Sequence, residues 1–83
     1  MRYKYYRVAV QTQRHLSANI RWTGHLKKDA DRIARLYRRT ARPGTCFGFH
    51  AVQIQGMDKN GCPHVVKTWV SDVNGRFFVR EDN

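Results

Sequence analysis

The sequence holds no apolar run approaching the roughly 20 residues that a membrane span requires. Acid is scarce: six Asp and Glu stand against 16 Lys and Arg, a formal net charge of +10. No repeat, linker or low-complexity stretch interrupts the 83 residues, so a single small domain is expected over 1–83, with the last three residues frayed. A chain of this size buries only about 60% of its unfolded surface, which limits the core. Gly-rich phosphate loops, nucleophile motifs and glycosidase-type acid pairs are missing, and His15, His25, His50 and His64 are scattered. A binding protein is therefore expected rather than an enzyme.

Cysteine is scarce as well, at two. The first residues, Met1-Arg2-Tyr3-Lys4-Tyr5-Tyr6-Arg7, carry charge and no apolar h-region. Together these predict no secretion signal, a reducing cytoplasmic setting and free thiols. Cys46, His50, Cys62 and His64 are ligand types, but their C-x3-H…C-x-H spacing is not a usual zinc pattern. A strand reading of this region separates Cys46 from Cys62 by roughly 25–30 Å. Neither a metal, a disulfide nor a cofactor is expected.

Apolar residues at 41% and aromatics at 12% suffice for a folded globule. A first strand is predicted at Tyr5–Gln13, where Tyr6, Val8 and Val10 alternate with Arg7, Ala9 and Gln11. A second follows at Leu16–Trp22, with Leu16, Ala18, Ile20 and Trp22 expected on one face. Thr23 is the expected N-cap of a helix from His25 to Ala41, which Pro43-Gly44 ends. At 100° per residue, Leu26, Ala30, Ile33, Leu36, Tyr37, Thr40 and Ala41 fall within an arc of about 140°. Three more strands are predicted at Cys46–Gln55, His64–Ser71 and Arg76–Arg80. A change of apolar phase near His50–Ala51 implies a bulge there, or burial on both faces. The Gly56–Gly61 stretch and Asn74-Gly75 mark the hairpin turns. The layout is ββαβββ, an α+β domain with one amphipathic helix on one face of an antiparallel sheet.

Charge is concentrated in the first half. Residues 1–42 carry twelve cations against Asp29 and Asp31, while residues 43–83 balance four against four. Lys27, Lys28, Arg32, Arg35, Arg38, Arg39 and Arg42 lie opposite the apolar arc, where seven cations facing outward would repel one another without an anion. Arg suits bidentate contacts to phosphate or carboxylate. The predicted partner is nucleic acid, DNA or RNA, held by this face with help from Arg2, Lys4, Arg7, Arg14 and Arg21. Tyr3 and Tyr5 lie off the Tyr6–Val8–Val10 face and are the candidates for base stacking. Trp22, Trp69, and Phe47 or Phe49 are expected in the core. An acidic protein or ribonucleoprotein surface is the alternative partner, and a homodimer through the second sheet face or an edge strand is compatible with either.

Ala30-Asp31-Arg32-Ile33-Ala34, then Gly48-Phe49-His50-Ala51-Val52-Gln53-Ile54, and Val73-Asn74-Gly75 carry a further likeness. Over about Leu26–Ile54 the chain resembles the small anti-CRISPR inhibitors among the accessory proteins of bacteriophages and mobile elements. The Arg-rich helix end, Leu36–Arg42, departs from that pattern. The resemblance implies a twisted antiparallel sheet with one helix and a basic surface. It also implies docking on an RNA-guided surveillance complex, in some cases within the channel where DNA lies.

Overall fold

The computed structural model describes residues 3–12, 17–40, 50–72 and 76–80. The elements run β1 (Tyr5–Gln11), β2 (Asn19–Gly24), α1 (Lys27–Thr40), β3 (Ala51–Met57), β4 (Pro63–Ser71) and β5 (Phe77–Arg80). All five strands form one antiparallel sheet in the order β2-β1-β3-β4-β5. This is the expected α+β domain, ββαβββ, with a single helix among the described residues. Because β2 and β3 both run antiparallel to β1, they point the same way. Their connection must return across β1, and α1 makes that return.

The core lies between α1 and the sheet. Val8, Val52, Ile54, Ala30, Ala34 and Trp69 form its buried centre, with Tyr6, Trp22, Ile33, Tyr37, Val66 and Phe77 packed around it. Val8, Val10, Val52 and Ile54 are fully buried, each contributing roughly 1.5–3 kcal/mol. Trp69 was expected in the core and lies there; Cys46, Phe47 and Phe49, the first half of the expected change of phase, fall outside the described residues. In the described part of β3, Val52 and Ile54 alternate inward without a break.

Two bulges revise the predicted faces. Val8 pairs with Trp22 and Ala9 with Ile20, so Arg21 is an extra residue in β2. Trp22 therefore joins the helix side of the sheet, while Ile20 shares the other face with Ala9 and is exposed. The strict alternation expected through Leu16–Trp22 does not hold. The same device recurs in β4, where Ile54 pairs with Lys67 and Gln55 with Val65, leaving Val66 as the extra residue. The bulge also lets β2 continue, so that Thr23 pairs with Arg7 and Gly24 with Tyr6. Thr23 is thus a strand residue, not the helix cap. The first helical hydrogen bond runs from the Ala30 amide to the Leu26 carbonyl. With no polar cap at Leu26, Asp29 supplies the negative charge in the first turn.

The helix is rotated from the expected arc. Ala30 and Ala34 are its fully buried residues, whereas Leu26 and Leu36 are about half exposed at 51% and 49%. Ala30 and Ala34 carry the smallest apolar side chains on this surface and let the helix approach the sheet closely. The contact line thus runs through them rather than through Leu26 and Leu36.

Strand boundaries differ at the turns. β3 extends through Gly56 and Met57, which pair with His64 and Pro63, so the turn is confined to residues 58–62. The Asp58 carboxylate shapes it: Oδ1 accepts the Asn60 and Cys62 amides at 2.8 and 2.9 Å. Gly61 adopts φ +80°, a left-handed conformation that an L side chain would strain. Residues 73–75, with the Asn-Gly pair, and 81–83 lie outside the described residues.

Candidate functional site

The outer face of α1 gathers the charge. Lys28, Arg32, Arg35 and Arg39 follow i, i+4, i+7, i+11 spacing, and all four are exposed. That spacing lines them along one side of the helix over about 16 Å at 1.5 Å per residue. The two helix acids are already engaged. Asp31 lies 3.5 Å from Lys27 and Asp29 lies 3.8 Å from Arg32. Lys28, Arg35 and Arg39 have no acidic partner within ion-pair distance among the described residues.

Arg38 does not face outward. Its guanidinium lies 4.0 Å from the centre of the Trp69 ring, and its Nε donates to the Ala34 carbonyl at 3.3 Å. Burial lowers its pKa from the ordinary arginine value, the nearby Arg35 adds to the lowering, and Asp31 opposes it. The Lys67 ammonium lies 5.1 Å from the same ring. The expectation of seven outward cations fails at Arg38 because the helix is rotated toward Ala34, carrying that residue over β4. Arg38 holds the helix to the sheet through a cation–π contact. Arg42, Arg2 and Arg14 lie outside the described residues.

The remaining predicted cations divide. Lys4 and Arg21 are exposed. Arg7 is half-buried on the sheet face opposite the helix and donates from Nη2 to Gln55 Oε1 at 2.7 Å. Gln55 Nε2 donates in turn to Gln53 Oε1 at 2.8 Å, and Gln53 Nε2 to Thr68 Oγ1 at 3.1 Å. This polar line crosses β1, β3 and β4. Its Arg7 Nε is buried without a hydrogen-bond partner. Arg7 is therefore tied into the sheet rather than held out toward a phosphate. Around the line, Ile20, Val65 and Phe78 are exposed. No described helix packs on this face.

The tyrosines also separate. Tyr5 lies on the Arg7 face opposite Met57. Tyr3 does not share that face. A side chain at Gly56 would run into the Tyr3 ring, and Gly56 pairs directly with Tyr6, so Tyr3 lies on the Tyr6 side. The reason is local: the Lys4 amide binds the Met57 carbonyl at 2.7 Å, and the residue before it lays its ring across the bare glycine. The Tyr3 ring meets Tyr6 edge-on at 5.8 Å and His64 at 5.7 Å. His64 Nε2 is 2.8 Å from Asp58 Oδ2. This bond first and the Cys62 amide next lower the Asp58 pKa below the ordinary aspartate value; burial opposes them, and the Asn60 amide adds a smaller lowering.

Gly24, Tyr6, Gly56 and His64 stand in one row across four strands. Trp22 covers Gly24 as Tyr3 covers Gly56. Sequence reasoning placed Gly56 in a turn; an isolated glycine inside a strand pattern also marks a close approach, which is the role of both glycines here. Near the first of them, Trp22 lines a groove of about 210 Å³ between β2 and α1 together with Arg21, Ile33, Leu36 and Tyr37.

No described helix is long and apolar enough to cross a membrane. Cys62 is free and exposed. No group of three or more His, Cys, Asp and Glu among the described residues lies close enough to hold a metal ion. Comparison with known proteins finds no matching family model, no similar protein of curated function and no solved structure of matching fold.

Proposed function

We propose that this protein binds nucleic acid by its phosphates, through the Lys28–Arg32–Arg35–Arg39 line on α1. The observation that carries this reading is a row of exposed cations whose only helix acids are already paired with Lys27 and Arg32. Like charges one helical turn apart repel, and a polyanion lying along the row relieves the repulsion. Arg21, which lines a groove together with Leu36 of α1, extends the positive surface. Contacts of this kind hold a strand without selecting its sequence. Anisotropy of labelled DNA and RNA across a salt series tests the reading. Phosphate contact requires affinity to fall steeply as salt rises.

A second reading, an inhibitor docking on an acidic protein or ribonucleoprotein, draws on a separate observation. Leu36 on the same helix and Leu26 just before it are half exposed, and apolar residues beside cations suit a protein interface. This is the anti-CRISPR-like alternative. A 1:1 complex surviving both nuclease and moderate salt, with weak binding to free polynucleotide, would favour it. The exposed Ile20, Val65 and Phe78 face is where a homodimer would form in either case, and light scattering tests that directly.

A further inference from the structure

The groove between β2 and α1 combines apolar walls with a basic margin. Its walls are aromatic and aliphatic: Trp22 from the sheet, Tyr37, Ile33 and Leu36 from the helix. Its margin is basic. Arg21, the extra residue of the β2 bulge, lines it directly. Arg32 and Arg39 stand one turn before and after Leu36 on the helix surface. Asp29, one turn before Ile33, is already paired with Arg32 at 3.8 Å. The bulge at Arg21 creates the arrangement, because it turns Trp22 to the helix side of the sheet while Arg21 itself stays in the groove lining.

A purely apolar ligand has no use for the basic margin, and a bare phosphate has none for the walls. A nucleotide uses both, since its base presents a flat apolar face and its backbone carries the negative charge. We propose that the groove accepts one unpaired base of a single-stranded nucleic acid whose backbone follows the α1 cations. This rests on the nucleic-acid reading of that face and adds a preference to it. Duplex bases are stacked and paired, so the groove distinguishes single strands from duplexes. The contact is tolerant of sequence, because every base has a π-face.

The test compares three labelled probes of equal length, about 12 nucleotides, within the range such sites span: oligothymidine, the same backbone with abasic residues, and a duplex. Anisotropy with the unmodified chain gives the affinities. The expected result is oligothymidine binding at least about fivefold more tightly than the abasic strand, the lower end of what stacking of one base supplies. Leu36→Gln, at a half-exposed position of the groove wall, should shrink that difference while leaving the abasic affinity unchanged. In Trp69→Phe, Trp22 is the sole tryptophan, and its emission should change with oligothymidine but not with the abasic strand. Equal affinity for the oligothymidine and abasic probes, or a duplex bound as tightly as oligothymidine, overturns the groove proposal while leaving phosphate binding intact. No binding of any probe overturns both.

Discussion

Reversing two charges, Arg35→Glu with Arg39→Glu, separates binding from folding. Both side chains are exposed, and neither has an acidic partner within ion-pair distance among the described residues, so their loss removes no ion pair there. Surface changes of this type usually alter stability by no more than about 0.5 kcal/mol each. In binding, each single-strand phosphate contact contributes about 0.7 to the slope of log affinity against log salt. Losing two should flatten the slope by about 1.4, and the new carboxylates should repel the backbone further. Anisotropy between about 50 and 200 mM salt measures the slope. Arg38→Ala is the contrasting variant. Its guanidinium sits over Trp69 instead of facing a strand, so the change should cost roughly 0.5–2 kcal/mol of stability and leave the slope within 0.3 or so of the parent. An unchanged slope in the double mutant, or a larger change in Arg38→Ala, would refute the assignment of phosphate contacts to the outer line.

Further predictions follow from the packing. Trp69→Ala removes a side chain only 6% exposed and should cost roughly 3–5 kcal/mol in denaturant unfolding. Gly56→Ala places a methyl group against the Tyr3 ring and should cost about 1–3 kcal/mol, with the Tyr3 and Tyr6 ring resonances shifting by NMR. Gln55→Ala leaves Arg7 and Gln53 without their shared partner and should destabilise the sheet by roughly 1–3 kcal/mol. Because the folded Asp58 pKa is depressed, the stability it contributes is present above the ordinary aspartate range and lost as pH falls through the folded value. The melting-temperature gap between the parent and Asp58→Ala should therefore narrow as pH drops below about 4.

Strand alternation around Val8 and Val52 and the helical spacing of charge were strong enough to specify the element order. The strand failures share one physical cause, namely that periodicity assumes uninterrupted pairing. One extra residue at Arg21 sends Ile20 and Trp22 to opposite faces, and no local pattern announces it. The expected helix arc rightly held Ala30, Ile33 and Tyr37 but left out Ala34, and close approach at Ala30 and Ala34 turned Leu36 outward and moved Arg38 onto Trp69. Exposed cations spaced by whole turns were legible because their placement depends on the helix alone. The groove was not, since it arises where the β2 bulge meets Leu36 and Tyr37. The Arg7–Gln55–Gln53–Thr68 line was equally hidden, because it depends on strand register across three strands.

Equilibrium binding of the unmodified chain to labelled single-stranded DNA across a salt series tests the central claim most directly. Four phosphate contacts along α1 predict micromolar or tighter affinity and a log–log slope near −3, from about 0.7 per contact. No binding at physiological salt, or an affinity indifferent to salt, would contradict it and turn the basic face of α1 into a docking surface for an acidic protein.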